Sequence, residues 1–337
     1  MRKKYIFVTD ARSDDYGILS DLHIEENPDL ELHIARHSSP KTKIGKKLQH
    51  VYFSGKINYY FHLPFHYFFS TIRKMYFDKE TEYIFIILNG ALSVYDYKIW
   101  NKLKRQHPNI RTVLILLDSL NVKTFFGKMI RRDVEKVQWD LIYTVDKNDS
   151  EKYKFNYLNE HYYSDKRGLI KPNLNPKNDV YMIGSLKPGR VELLKRIQNK
   201  FRQEKISSDF TLVVPSNYQK TQLRQELSGV KFINKFKKYN DVLKELQNSN
   251  VIIEILQQNQ GAPTLRYFEA VMFNKKLLTN NQNVKKLKFY NEDYIKVFKN
   301  VEDIDFEWIK KKEKINYHYT DEFSPTYLLE EIRKKYE

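Results

Sequence analysis

Glu269 stands in an apolar helical stretch, RYFEAVMF, where an unpaired carboxylate would be costly. Two partners would satisfy it: the paired hydroxyls of a ribose, or the guanidinium of Arg266 three residues earlier. Thr264 and Arg266 begin the same helix, where the peptide dipole favours an anion, and both side chains suit phosphate oxygens. Earlier in the chain, GSLKPGR forms a second group of this kind. Gly184 ends a strand and lets the backbone come close to a ligand, Ser185 follows, and Lys187 and Arg190 add positive charge before a helix that presents free N–H groups. These are residue types for a diphosphate and a ribose. GSLKPGR is neither the glycine-rich dinucleotide fingerprint nor a Walker loop, and a tight turn with solvated bases also fits it.

The elements that must hold these residues read as βαβ units. VIIEIL, Val251 to Leu256, is a short β-branched run with no alternation, as in a buried parallel strand. A polar loop with Gly261 follows. The next helix is expected to open at Ala262, Pro263 and Thr264, with Pro in its first turn, and Lys276 to Thr279 starts another strand. Open α/β sheets bind ligands at the carboxyl ends of their strands, where this loop lies. Val180 to Gly184, Phe210 to Val214 and Val230 to Ile233 are further strands, with helices at Val191 to Phe201 and Tyr239 to Leu246. The amino-terminal half alternates in the same way, with strands at Lys4 to Asp10, Leu30 to Ala35, Glu82 to Gly90, Thr112 to Ser119 and Trp139 to Asp146. A polar loop with Asp14, Asp15 and Gly17 follows the first strand. Gly168, Pro172, Pro176 and several Asn and Asp mark a linker. The expected fold class is therefore α/β with two Rossmann-like domains facing a cleft: residues 1–163, a linker at 164–179, residues 180–325, and a closing helix at 326–337.

The second half resembles the donor-binding domain of bacterial GT-B glycosyltransferases of capsule, exopolysaccharide and lipopolysaccharide synthesis, and of related spore-maturation glycosyltransferase-like proteins. The resemblance rests on GSLKPGR and GAPTLRYFEA, which match a "strand, Gly-Ser, basic residue, helix" element and a "Gly-x-Pro-Thr-x-Arg-x-x-Glu-Ala" element. It implies a nucleotide-sugar donor site lined by Gly184, Ser185 and Gly261. Glu269 would hold the ribose hydroxyls, while Lys187, Arg190, Thr264 and Arg266 would neutralise the diphosphate. Retaining members carry an earlier Glu, where this chain has Gln260 or Gly261, which favours an inverting transfer. The implied reaction moves a sugar to a growing, lipid-linked, cell-surface glycan. A nucleotide-sugar epimerase of the same architecture and a degenerate, polyanion-binding relative are the alternatives.

An inverting transfer needs a base for the acceptor hydroxyl. Asp10, Asp118 and Asp146 stand at strand ends; Asp10 and Asp118 are the candidates, with His62 and His66 as alternatives. Strand-terminal Asp also caps helices. No cofactor and no metal are expected, because fixed cations and helix termini can stabilise the leaving diphosphate. Asp303 and Asp305 match a manganese-binding Asp-x-Asp only superficially, since Asp305 reads as a helix cap.

The net charge of +17 at pH 7 would suit a polyanion, yet abundant Lys, Asn, Ile, Tyr and Phe also follow from A/T-rich coding. No nucleic-acid module is recognisable, so no nucleic-acid partner is expected. The aromatic and basic block from Val51 to Phe77 reads either as a face against an anionic membrane surface or as core or subunit contact, with Pro64 interrupting any single amphipathic helix. No run nears the roughly 18 residues of a membrane span. Tyr5 to Val8 is too short an apolar run for a signal peptide, and there is no Cys. The expected location is cytoplasmic, peripheral on the inner face of the plasma membrane in the membrane reading.

Overall fold

The computed structural model describes residues 1–337 except 12–16, 62, 122–123, 159, 161–162, 174, 188, 215–216 and 257–259, and without the side chains of 55–56, 217–220 and 222. Asp14, Asp15 and His62 lie outside the described residues. The chain divides into two compact units, Met1–Tyr162 with Leu328–Glu337, and Tyr163–Tyr327.

The first unit is a six-stranded sheet in the order β2-β1-β3-β4-β5-β6. Its strands are β1 (Arg2–Thr9), β2 (Leu30–Ile34), β3 (Thr81–Leu88), β4 (Ile110–Leu116), β5 (Leu141–Thr144) and β6 (Asn156–Tyr157), and every pairing is parallel. Parallel strands need both faces covered, which is why YIFV of β1 and YIFIIL of β3 are apolar without alternation. Helices α1 (Lys43–Tyr52), α2 (Gly55–Phe61), α3 (His66–Phe69), α4 (Tyr97–Gln106), α5 (Phe125–Lys136) and α6 (Lys147–Tyr153) connect the strands. One face of α4 buries Ile99, Trp100 and Leu103, with the Trp100 ring edge-on to Phe85 of β3 at 5.9 Å. Strand order reverses between β1 and β3, so the carboxyl ends of these two strands border a crevice.

The second unit is another six-stranded parallel sheet, in the order β12-β11-β10-β7-β8-β9. It contains β7 (Asn178–Ser185), β8 (Ser208–Val213), β9 (Val230–Ile233), β10 (Ser249–Glu254), β11 (Lys276–Thr279) and β12 (Ile295–Val297), with helices α7 (Arg190–Gln203), α8 (Asn217–Glu226), α9 (Tyr239–Gln247), α10 (Leu265–Met272) and α11 (Phe306–Lys310). Here the order reverses between β7 and β10. Its core joins Val180 and Met182 of β7 and Val251 and Ile253 of β10 to Leu194, Ile197 and Phe201 of α7.

Several expectations change. The segment 164–179, expected as a linker, belongs to the second unit; Ser164 and Lys166 are buried there, and the Lys166 N–H points at Met272 Sδ at 3.1 Å. The closing helix α12 (Pro325–Tyr336) returns to the first unit, where Leu328, Leu329 and Ile332 are buried. Helix α10 begins at Leu265, with Thr264 as its cap and Pro263 before the cap. The aromatic block is chiefly surface: Tyr60, Phe61, Phe65, Phe68 and Tyr76 are exposed, while His66 and Ile72 are buried. No helix among the described residues is long and apolar enough to cross a membrane.

Lys276 enters β11 with its side chain wholly buried. Its ammonium donates to Trp308 O at 2.8 Å and Lys311 O at 2.6 Å and pairs with Glu313 Oε1 at 2.9 Å, tying the end of α11 to the sheet. Removing it empties a buried site and strands two carbonyls, while Glu313 keeps Lys311 at 2.9 Å. Lys276→Ala is expected to cost about 3 kcal/mol, measured as a lower urea midpoint for the second unit.

Candidate functional site

At the switch point of the second sheet, β10 ends in Glu254, a buried carboxylate directly after the apolar run Val251, Ile252 and Ile253. Its Oε1 accepts from the Thr264 N–H at 2.9 Å and hydroxyl at 2.5 Å, and its Oε2 accepts from the Thr279 hydroxyl at 2.6 Å. Burial pushes the Glu254 pKa up, against the hydrogen bonds from Thr264 and Thr279. Thr264 also accepts from the Arg266 N–H at 3.2 Å, capping α10. Asn281 and Asn283 donate to Gly261 O at 3.4 and 3.3 Å. The Gly-Ala-Pro-Thr turn is thereby fixed at both ends.

The other wall comes from β7 and α7. Gly184 and Ser185 close β7, and Gly189, at φ 76°, makes the left-handed turn into α7. Arg190, the first residue of α7, folds back over the sheet edge. Its Nη1 donates to Ser185 O at 2.6 Å and its Nη2 to Ile255 O, so one guanidinium bridges the ends of β7 and β10. A Cβ on Gly184 would stand 2.9 Å from Arg190 Nη1, so this guanidinium needs the glycine beneath it. Burial lowers the Arg190 pKa, and the Glu254 carboxylate opposes the shift. The guanidinium thus brings its charge to the switch point while its Nη donors hold main-chain oxygens. Lys187 is half-buried in the loop between β7 and α7.

Glu269 is fully buried on α10. It meets Arg266 Nη1 at 2.7 Å and accepts from the Tyr239 hydroxyl at 2.8 Å. The intrahelical ion pair is therefore present, although the 2.7 Å contact lacks hydrogen-bond geometry, leaving both atoms short of a good partner. Burial pushes the Glu269 carboxyl up to about 7, with Arg266 pulling it back. Arg266 spends its charge inward. Arg190, Ser185, Glu254 and Thr264 are thus brought together at one sheet edge, Gly261 is anchored beside them, and Arg266 and Glu269 form a second, deeper pair.

In the first unit Asp10 is buried just past β1, whereas Asp118 is exposed past β4 with Asn89 Nδ2 at 3.4 Å from its Oδ2. Asp146 caps α6, accepting from Asn148 N–H at 2.8 Å, and also accepts from the Ser119 hydroxyl. His66 is enclosed between Asp96, at 3.0 Å, and Asn58, at 2.7 Å, and braces the segment before α4. A cavity of about 380 Å³ opens at the carboxyl ends of β1 and β3, lined by Thr9, Leu88, Ile18, His23 and Glu26 among others. Asp305 caps α11 by accepting from Trp308 N–H at 2.9 Å, and Asp303 closes a capping box with Asn300. No group of three or more His, Asp or Glu among the described residues is arranged to hold a metal.

No family model matches the chain, and no curated protein matches it. Solved structures do. The Staphylococcus aureus MnaA–UDP complex aligns with a TM-score of 0.54 at 10% identity, over 99% of this chain and 96% of that one. The UDP-forming α,α-trehalose-phosphate synthase of Burkholderia vietnamiensis aligns at 0.54 and 8% identity, over 92% and 90%. UDP-N-acetylglucosamine 2-epimerase of Rickettsia bellii aligns at 0.53 and 12% identity, over 99% and 95%. The chain has the GT-B fold. The likeness is one of fold, shared by transferases and epimerases alike. In this GT-B chain Glu254 was not among the residues that the sequence singled out, although an acid inside VIIEIL was the available signal for a buried hydrogen-bond hub.

The Glu269 pair gives a pH-dependent stability with a definite sign. A carboxyl with its folded pKa raised from 4.5 to about 7 favours folding when protonated, so its contribution declines as pH rises from about 4.5 to 7. Glu269→Gln keeps an acceptor for Tyr239 and removes the titration. The variant should gain stability relative to the parent across that window, by at most on the order of 3 kcal/mol, with a flat difference above it. Paired urea titrations at pH 5 and 8 measure this; a difference independent of pH would refute the assignment.

Proposed function

We propose that this chain is a GT-B glycosyltransferase that takes a nucleotide-sugar donor and passes the sugar to a lipid-linked, cell-surface glycan on the cytoplasmic side of the membrane. The observation that carries the donor half is the switch point of the second sheet, where Lys187, Arg190 and the start of α7 bring positive charge to the sheet edge. An anionic diphosphate suits that edge, since the first N–H groups of α7 lack partners in the helix. Similar structures solved with UDP, named as UDP-forming or named for UDP-N-acetylglucosamine support a sugar nucleotide as the ligand class.

Transfer is favoured over epimerisation by a second feature. The first unit has its own cavity at its own switch point. A transferase must seat two substrates, whereas an epimerase works on one. Asp10, next to the cavity-lining Thr9, is the better-enclosed candidate base, and Asp118 is the more accessible one. Fixed cations at the second switch point would take the charge of the departing diphosphate, so the proposed mechanism is metal-independent and inverting.

A thermal-shift panel of uridine, guanosine and thymidine diphosphates should yield at least one stabilising nucleotide, and Lys187→Ala should weaken it about tenfold. With the donor so identified, Asp10→Asn should lower kcat by about 10² to 10⁴ while leaving nucleotide affinity intact, and a chelator should not change the rate. Epimerised free sugar nucleotide, formed without an acceptor, would instead assign the chain to the epimerase class.

A further inference from the structure

Helix α1 faces the wrong way for a globular protein. Its sequence, KIGKKLQHVY, places Ile44, Leu48 and Val51 on one face, and that face points to solvent with exposures of 74%, 66% and 55%. The face turned toward the protein carries Gly45, Gln49 and Tyr52 instead. Gln49 Nε2 donates to Ser38 O at 2.6 Å, and the neighbouring Phe53 ring stacks on His37 at 3.6 Å. Gly45 has no room for a side chain: a Cβ would lie 2.8 Å from both Pro40 Cβ and Thr42 Oγ1. An amphipathic helix normally turns its apolar stripe to the core. Here the helix is held by its small and polar side, leaving the stripe outward.

The stripe is part of a larger surface. Among the described residues, nine of the fourteen exposed large apolar side chains lie between Ile44 and Tyr76, including Phe61, Phe65 and Phe68. Phe65 holds a left-handed backbone, φ 65°, costly for a bulky residue, and is 73% exposed. The Arg73 guanidinium lies 4.3 Å from the centre of the Phe68 ring. Charge is segregated in the same stretch: from Leu32 to Phe77 there is no Asp or Glu, though the chain has 42, while eight Lys and Arg occur there. Lys47 borders the stripe on α1, and Lys43 and Lys46 are exposed farther round the helix.

We propose that α1 and the aromatic turns after it form a docking face for an anionic lipid bilayer. The apolar stripe would enter the acyl boundary, lysines would meet headgroup phosphates, and Phe and Tyr rings would lie at the interface. A second copy of the chain is a poor occupant, because a symmetric contact would oppose one acid-free, basic surface to another. This face goes beyond the donor reading and does not depend on it.

Flotation with vesicles of phosphatidylglycerol and phosphatidylcholine tests the proposal. The full chain should float with anionic vesicles, bind pure phosphatidylcholine more weakly, and lose affinity as salt rises. The double variant Ile44→Asp, Leu48→Asp changes only exposed positions; it should keep its melting temperature and its response to nucleoside diphosphate, and partition about tenfold or more less. Equal partitioning of parent and variant, or no binding of the parent to anionic vesicles, overturns the proposal. So does a concentration-dependent dimer that the variant abolishes in the absence of vesicle binding. Because flotation is read without nucleotide, failure here and failure of the donor site are separate results.

Discussion

The Glu254 carboxylate is the constraint from which the second unit's site is built. Three donors, two from Thr264 and one from Thr279, converge on a group that has almost no contact with water. Left without them, it would bear the cost of an uncompensated buried acid. With them, it sets where the Gly-Ala-Pro-Thr turn ends and where α10 begins. Arg190, bridging the ends of β7 and β10, completes the edge from the other side. The site is therefore held by groups that face into the sheet, and its accessible surface is consequently main chain, helix start and Lys187.

Much of this was legible in the sequence because the strongest signals were local. The β-branched runs at β1, β3, β4, β7 and β10 have no periodicity to confuse, and parallel strands need nothing else. Elements that depend on neighbours were harder. The three-residue strand β12 is defined by pairing to β11, and α8 carries few apolar residues in NYQKTQLRQE. Both were absent from the sequence reading. At the site, the residue types were identified but their orientations were not. Arg266 was read as phosphate ligand or partner of Glu269, and only packing decides that its guanidinium points inward. Pro263 looked suited to a first turn, but the Thr264 hydroxyl, with both an N–H to cap and a carboxylate to satisfy, takes the capping position and moves the start of α10.

Composition alone was ambiguous about the positive charge, and distribution is more informative. A coding bias toward Lys raises charge everywhere and has no reason to empty one contiguous stretch of every Asp and Glu. Nor does it explain a helix that faces Gly45 and Gln49 inward and Ile44 and Leu48 outward. That inversion is a packing choice, maintained by Pro40 and Thr42 crowding Gly45 and by Gln49 reaching a main-chain carbonyl. The same stretch also buries a polar group of its own. His66, between Asp96 and Asn58, links the turns after α1 to the capped start of α4 and so gives an exposed aromatic surface a rigid base.

Helix α12 has a consequence for how the molecule is made. Its last turns belong to the first unit, where the Arg333 guanidinium lies over Tyr5 at 5.4 Å and the Lys3 ammonium donates to Tyr336 O. A ribosome delivers these residues after the whole second unit. The first sheet must therefore wait, with part of its surface uncovered, while its neighbour emerges and folds. Contacts of such sequence separation are slow to close and expose apolar surface in the interval. Truncation at the carboxyl end would consequently injure the domain that was synthesised first.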